Sequence, residues 1–312
     1  MDTAEQTELR ASIQKLTKDL LNATHTLSDR EARFLVDAYY SMQRDRIRSA
    51  HQDRTLSENQ EPHDILQWLL VQRDTLEKQI ARSLDRYSAG KKAGLWARSI
   101  VGIGPIVAAG LIAHIHVGYW CETCHGIDKD DCARRQRNPK LKLPKHGFTQ
   151  AVACPTVGHV WRFAGLDPTN KWKEGQKRPW NAQLKTLCWK IGESFVKVSN
   201  HEDDIYGKIY AQRKQLENER NEAGQFAEQA AASLKAKRYG ADTDARKHYE
   251  AGRLPPARIH LRSQRVAVKL FLAHLHHVMY EIEFHEPPPM PFILTQPGHV
   301  HFLAPPNWPM MK

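Results

Sequence analysis

Cysteines are the first residues in this sequence that could do chemistry, and four of the five lie in one short segment. Cys121 and Cys124 form a Cys-x-x-Cys pair, which Cys132 and Cys154 follow. Four thiolates, or three thiolates and the imidazole of His125, would suit tetrahedral zinc. A metal ion would also stabilise a segment with few apolar residues. The sequence therefore predicts structural zinc at Cys121, Cys124, Cys132 and Cys154, with unligated reduced thiols as the alternative.

A second group of residues combines positive charge with tryptophan. Residues 171–190 contain six lysines or arginines and one acid, and tryptophans stand between the basic residues. Cations can pair with phosphates while indole rings stack on bases. The alternative is a solvated basic loop with tryptophans packed beneath it. The predicted RNA-binding residues are Lys171, Trp172, Lys173, Gln176, Lys177, Arg178, Trp180, Asn181 and Lys185.

The tetrapeptide Gly102-Ile103-Gly104-Pro105 precedes an apolar, helix-forming segment. Glycines permit a tight turn and a close approach of phosphate to the backbone, and proline suits the first helical position. The pattern predicts a phosphate-binding turn of the helix-hairpin-helix type at Gly102 and Gly104. A purely structural turn between core helices explains it as well.

Basic residues also recur along the last predicted helix. Arg258, Arg262, Arg265 and Lys269 are spaced by four, three and four residues, which places them on one helical face. Such a face could follow a phosphate backbone, and an ordinary solvated face is the alternative.

Charge and composition favour a polyanionic partner. The 312 residues carry a formal net charge of +11, and the pI is about 9.4. The polar N-terminal segment excludes a secretory signal peptide, and no run of 18 apolar residues predicts a membrane span. Five cysteines without an export signal argue against a disulfide framework. We therefore expect a cytoplasmic protein without a membrane partner, encoded by a prokaryote or a phage.

The elements that must position these residues are mainly helical, so the predicted fold class is all-α. Residues 1–95 predict a coiled-coil-like region with a long antiparallel helical hairpin, and Ser28 and Glu31 have the spacing of a capping box. Residues 96–286 predict a nucleic-acid-binding domain that carries the cysteine insert at 121–154. Residues 287–312 are rich in proline and predict an extended tail.

Two segments together resemble a known group of proteins. Gly102-Ile103-Gly104-Pro105 within residues 99–117, followed by Ala164-Gly165-Leu166-Asp167-Pro168 within residues 161–197, is similar to the C-terminal domain of bridge-RNA-guided insertion-sequence transposases. The same order, with Leu111 to His114 in its helix, resembles the Nop domain of box C/D ribonucleoproteins. Residues 170–175 lack the catalytic serine of the transposases, and helices stand in place of their RuvC-like domain. The chain therefore most resembles the nuclease-less Tas proteins of tandem-interspaced-guide-RNA systems.

This resemblance implies a Nop-like domain that binds a box C/D-like guide RNA and presents it to target DNA without cutting it. It assigns the RNA-gripping role to Lys173, Lys177, Arg178, Asn181 and Lys185, and it makes Trp172 and Trp180 stacking candidates. We expect no enzymatic activity and a homodimer. One alternative is a divergent transposase or recombinase, whose nucleophile would be Ser194, Ser199 or Tyr206. A structural helix-hairpin-helix protein that binds duplex DNA is the other.

Overall fold

The computed structural model describes residues 16–59, 64–290 and 302–310, and these residues are mainly helical. The predicted all-α fold class is confirmed. Contacts divide the described residues into two compact units, one within the ranges 1–98 and 104–116 and one within the ranges 99–103 and 117–312. No helix within the described ranges is both long and apolar enough to cross a membrane.

The first unit is a bundle of helices built around a hairpin. Its first long helix, α2 (Asp29–Glu58), begins with the predicted capping box. The Ser28 hydroxyl accepts a hydrogen bond from the Glu31 amide, and the Glu31 carboxylate accepts one from the Ser28 amide. The predicted coiled-coil-like region also includes residues 1–15 and 60–63, which lie outside the described ranges. The helices of this unit are α1 (Lys18–Asn22), α2 (Asp29–Glu58), α3 (Asp64–Ala89), α4 (Lys92–Arg98) and α5 (Pro105–His114), with a 3₁₀ turn at Ala23–Thr26.

Contacts between α2 and α3 show that the two helices run antiparallel. Asp29 at the start of α2 accepts hydrogen bonds from Tyr87 near the end of α3 and from Lys91, each at 2.8 Å. Further along α2, Arg46 pairs with Glu77 at 2.6 Å, earlier in α3. The contacted residue number in α3 falls as the number in α2 rises. The two helices therefore run in opposite directions.

Helix α5 packs against this hairpin through small side chains. Ala109 and Ala113 share a buried cluster with Ala32, Val36 and Tyr87, and their short side chains let the helices approach closely. The sequence prediction assigned α5 to the domain of residues 96–286. The contacts place it with the hairpin instead, because its apolar surface is buried against α2 and α3.

The second unit is organised by its long last helix. Three helices, α7 (Val157–Phe163), α8 (Ala182–Lys197) and α9 (Tyr206–Glu222), pack against the last helix, α12 (Pro256–Phe284). In the core of this unit the rings of Phe195, Tyr206 and Phe271 meet at centroid distances of 4.9–5.5 Å. Its elements are β1 (Tyr119–Cys121), α6 (Lys129–Arg137), β2 (Gln150–Val152), α7 (Val157–Phe163), α8 (Ala182–Lys197), α9 (Tyr206–Glu222), α10 (Ala227–Ala236), α11 (Asp244–Glu250) and α12 (Pro256–Phe284).

Described parts of the proline-rich tail lie along α12. His274 is hydrogen-bonded to the Leu303 carbonyl at 2.9 Å, and the Trp308 indole donates to Glu281 at 2.5 Å. Residues 291–301 and 311–312 of the predicted tail lie outside the described ranges. Leu303 and Trp308 of the tail are thus held by polar contacts to the last helix.

Candidate metal cluster and nucleic-acid interface

Three cysteines and one histidine converge beside the small sheet of the second unit. β1 and β2 pair antiparallel, with Cys121 opposite Gln150. The ligand atoms of Cys121, Cys124, Cys132 and His146 all lie within 4.8 Å of one another. Cys121 Sγ and Cys132 Sγ are 3.7 Å apart, and His146 Nε2 lies 3.4 Å from Cys132 Sγ. This buried group could hold a metal ion.

Local hydrogen bonds orient the histidine for metal binding. His146 Nδ1 lies 2.8 Å from the Pro144 carbonyl, which fixes Nδ1 as the protonated nitrogen and leaves the Nε2 lone pair facing the thiols. The Gln136 side chain, on α6, accepts from the His146 amide at 3.1 Å and donates to its carbonyl at 3.0 Å. The loop that carries His146 is therefore tied to the helix that carries Cys132.

The backbone around Cys121 favours its thiolate. Burial raises the pKa of this thiol, but hydrogen bonds from the amides of Cys124, Thr149 and Thr123 outweigh burial and lower its pKa to about 5. The turn after Cys121 is closed by the His125 amide, which donates to the Cys121 carbonyl at 2.7 Å. A deprotonated sulfur is the form that binds metal.

Cys154 and His125, both considered as ligands from the sequence, lie outside the cluster. Burial raises the pKa of the Cys154 thiol to about 11, and its carbonyl is bonded to His276 at 2.8 Å. The His125 ring stacks on Trp120 at a centroid distance of 4.1 Å. The fourth ligand atom belongs to His146 instead. The fifth cysteine, Cys188, is a buried core residue on α8.

Sequence reasoning missed His146 because no local pattern points to it. Thirteen residues separate it from Cys132, and only the fold of the intervening loop brings the two together. A search for three cysteines and a later histidine, the Cys₃His ligand set of structural zinc sites, could have found it.

The predicted RNA-binding loop, residues 171–179, is exposed throughout. Trp172 is 44% exposed and its indole donates to the Gln176 carbonyl at 2.7 Å, which folds the loop back on itself. The Arg178 guanidinium lies 5.9 Å from the Trp172 ring. Within the described part of the chain, Lys171, Lys173, Lys177, Arg178 and Lys185 form no ion pair with a carboxylate.

Two of the predicted RNA-binding residues have structural partners. Asn181 is the N-cap of α8 and accepts from the Leu184 amide at 2.9 Å. The Trp180 ring is half-buried, covers Gly165 and carries the Lys185 ammonium 4.0 Å from its centroid. Trp180 therefore packs against Lys185, whereas Trp172 is the more accessible of the two predicted stacking rings.

Gly165 should be the most sensitive glycine of this surface. Its φ is +67°, and an added Cβ would lie 2.8 Å from Cγ of Trp180, whereas Gly175 has φ +79° and open space around it. We expect Gly165→Ala to cost about 2–4 kcal/mol, from left-handed strain and a clash, and Gly175→Ala only about 1 kcal/mol, from strain alone. Urea denaturation of both variants measures this difference. Equal losses would contradict the packing of Trp180.

The structure brings the RNA-binding loop and the last helix to one basic face, which we define as Arg178, Lys185, Arg258, Arg265 and Lys269. Burial, with repulsion from Arg265 and Arg178, lowers the pKa of Lys185. Burial, with repulsion from Arg258 and Arg262, likewise lowers the pKa of Arg265. Burial lowers the pKa of Lys269 as well, with Asp167 opposing and Arg265 adding to the shift. Each of these shifts includes repulsion from another cation of the group, so the cations are close neighbours.

Arg262 was predicted to belong to the same face but has a structural role. It pairs at 2.9 Å with Glu217, which is only 1% exposed and also contacts Arg213, and its guanidinium lies 4.7 Å from the Phe226 ring. A buried carboxylate requires such partners. The prediction for Arg262 is corrected because its guanidinium forms an ion pair with the Glu217 carboxylate on α9.

Arg262→Ala and Arg265→Ala should separate stability from binding. We expect Arg262→Ala to lower the free energy of unfolding by about 1–3 kcal/mol, because Glu217 loses one of its partners. Arg265→Ala should leave stability unchanged or slightly higher, because it relieves repulsion on the basic face, and should weaken nucleic-acid binding. Thermal unfolding and binding titrations test the pair. The reverse assignment of effects would overturn it.

The Gly102–Pro105 turn is occupied by protein on one side. Gly102 has φ +93°, its carbonyl accepts from the Ser194 hydroxyl at 2.6 Å, and an added Cβ would lie 3.3 Å from Phe195. Gly104 is the exposed N-cap of α5. The positive φ and the close packing account for a glycine at position 102 without a bound phosphate.

Hydroxyls considered as nucleophiles for a recombinase have internal partners. Ser194 donates to Gly102, as above, and Ser199 donates to the Val196 carbonyl at 2.9 Å. Tyr206 is fully buried and its phenol lies 2.7 Å from His274 Nδ1. Burial raises the pKa of Tyr206 far above its ordinary value.

Comparisons with known proteins do not name this fold. No family model, curated protein or solved structure matches the chain significantly. Its function is therefore inferred from the cysteine–histidine cluster and from the basic face with its adjoining loop.

Proposed function

We propose that this protein binds a folded, guide-like RNA on the basic face and the adjoining loop of residues 171–179. One observation carries the proposal. Cations from α8, α12 and the loop lie close together, and burial followed by repulsion from neighbouring cations lowers the pKa of Lys185 and Arg265. Crowded like charges destabilise a protein unless an anion neutralises them. Successive phosphates of a nucleic-acid backbone supply such charge, with release of counterions.

Several features favour RNA over duplex DNA as the ligand. Trp172 offers an exposed indole beside Arg178, and aromatic rings next to cations suit unstacked bases of loops and bulges. The resemblance to Nop-bearing proteins supports the same choice. A guide would then provide sequence specificity by pairing with target DNA, while the protein contacts backbone and shape. On this proposal the protein itself is not an enzyme.

We further propose zinc as the metal of the cysteine–histidine cluster. A tetrahedral site with Zn–S bonds of about 2.3 Å has sulfur–sulfur edges of about 3.8 Å, close to the 3.7 Å between Cys121 and Cys132. Three thiolates and one imidazole form a ligand set that zinc prefers. Zinc would stabilise the segment from β1 to β2, whose buried cluster consists of the cysteines themselves.

Purification from a host that carries the neighbouring locus tests the proposed function. We expect sequencing of the bound nucleic acid to return one discrete class of small RNA. Incubation of the same preparation with supercoiled DNA and divalent metal should give no nicking and no covalent adduct. Recovery of mixed cellular RNA or of duplex DNA alone would contradict guide binding. A nicked product would favour the recombinase alternative.

A further inference from the structure

The segment between Cys132 and His146 carries a positive charge that the basic face does not include. No Asp or Glu occurs from Cys132 to Leu166, whereas residues 134–145 contain six lysines or arginines. So one-sided a composition is unusual for a solvated surface, where both signs are normally interspersed. The segment therefore offers unbalanced positive charge to an external anion.

Two of these six cations are used inside the protein. Arg134 and Arg135 both pair with Asp131, at 2.9 and 3.0 Å, and Arg135 also donates to the Cys124 carbonyl at 3.1 Å. Asp131 is only 2% exposed, so this arrangement fixes α6 against the cysteine turn. These two arginines are structural.

The remaining four cations face solvent. Arg137, Lys140, Lys142 and Lys145 are all exposed, and among the described residues none of them forms an ion pair. We name residues 137–145 the lysine loop. None of its residues belongs to the basic face, which lies on α8, α12 and the loop of residues 171–179.

The cysteine–histidine cluster and Gln136 hold the lysine loop at both ends. Leu143 packs against the buried cysteines, and the two hydrogen bonds between Gln136 and His146 hold both ends of the loop together. Lys142 takes a left-handed conformation with φ +47°, next to Leu143. A non-glycine residue adopts this conformation only where its surroundings enforce it. Loss of the metal would therefore release the loop and its lysines together.

We propose that the lysine loop is a second contact for the backbone of the bound RNA, shaped by the metal ion. This inference rests on the proposed RNA binding and adds a site to it. Lysines on a short, pinned loop contact phosphates as point charges without reading bases. The metal then acts on affinity indirectly, because it holds Lys140, Lys142 and Lys145 in place while making no contact with RNA itself.

The test uses the full chain, a fluorescent hairpin RNA with an asymmetric internal loop, and titrations at several salt concentrations. Replacing Lys140, Lys142 and Lys145 with Glu should weaken binding at least about tenfold and lower the salt dependence by about two to three ion equivalents, since each phosphate contact contributes about one. The matched control changes Arg44, Arg48 and Arg54 of α2 to Glu, with the same loss of charge. It should bind as the parent does.

Metal content and a milder variant keep the test decisive. The triple variant should retain the parent's metal content, because its lysines are not ligands; if it does not, the Lys→Ala triple variant is measured in its place. Cys132→Ser should weaken RNA binding to the level of the triple variant and add nothing when combined with it.

Failure of this inference and failure of the proposed function look different. If reversal of Lys177 and Arg178 abolishes binding while the lysine-loop variant matches the parent in affinity and salt dependence, the second contact is wrong and the proposed function stands. If the parent does not bind the hairpin RNA or its co-purified RNA, the proposed function fails first. Equal losses in the α2 control and in the lysine-loop variant would reduce the effect to net charge and overturn the inference.

Discussion

Reversal of Lys177 and Arg178 to Glu is expected to abolish RNA binding by this protein. Both side chains are exposed, the Arg178 guanidinium lies 5.9 Å from the Trp172 ring, and its charge repels that of Lys185. The double variant replaces two attractive charges with two repulsive ones where phosphates would lie. We expect affinity to fall by at least about a hundredfold, which corresponds to about 2.8 kcal/mol. Fluorescence anisotropy with the hairpin RNA measures the loss.

Two controls define what this result means. Circular dichroism should show unchanged helical content, because residues 177 and 178 are exposed in a loop before α8. Reversal of Arg48 and Arg54 on α2 changes the net charge equally and should leave affinity within a few-fold of the parent. If the double variant binds RNA as tightly as the parent, the loop is not the RNA site.

Removal of His146 is expected to release the metal, and removal of Cys154 is not. The purified parent should contain about one zinc ion per chain. His146→Ala deletes a ligand whose Nε2 lies 3.4 Å from Cys132 Sγ, whereas Cys154→Ala removes a thiol whose pKa burial raises to about 11. Elemental analysis after dialysis against a weak chelator should find zinc lost from the first variant and retained in the second.

Loss of the metal should also loosen the segment from β1 to β2. Its buried cluster is made of Cys121, Cys124 and Cys132, against which Leu143 and Phe148 pack, so little apolar burial remains without the ion. Hydrogen exchange in residues 121–150 should accelerate in His146→Ala and in chelated parent, while α8 and α12 keep their protection. Retention of zinc by His146→Ala, or its loss from Cys154→Ala, would restore the four-cysteine prediction.

Local patterns in the sequence were enough for the all-α fold class and for three of the four residues of the candidate metal cluster. The Ser28–Glu31 spacing predicts a capping box that depends only on one helical turn, and the structure contains it. Cys121 and Cys124 are joined by a tight turn, and Cys132 follows on a nearby helix, so short spacing was informative for all three.

Features that depend on distant parts of the chain could not be predicted in this way. His146 reaches the cysteines only through a loop held by Gln136, and Cys154 is drawn away by packing near His276. Arg262 has the spacing of a basic stripe, but Glu217 lies 45 residues earlier and reaches it only because α9 packs on α12. Helical periodicity predicts which face a residue occupies but not the charge that the neighbouring helix presents to it.

The proposed RNA site is tested most directly by ultraviolet cross-linking of the RNA–protein complex, followed by mass spectrometry of the peptides that carry nucleotide adducts. The proposal predicts adducts in the loop of residues 171–179, with Trp172 foremost, and their disappearance in the variant with Lys177 and Arg178 reversed. Adducts confined to α2 and α3, with the loop unmodified, would contradict it.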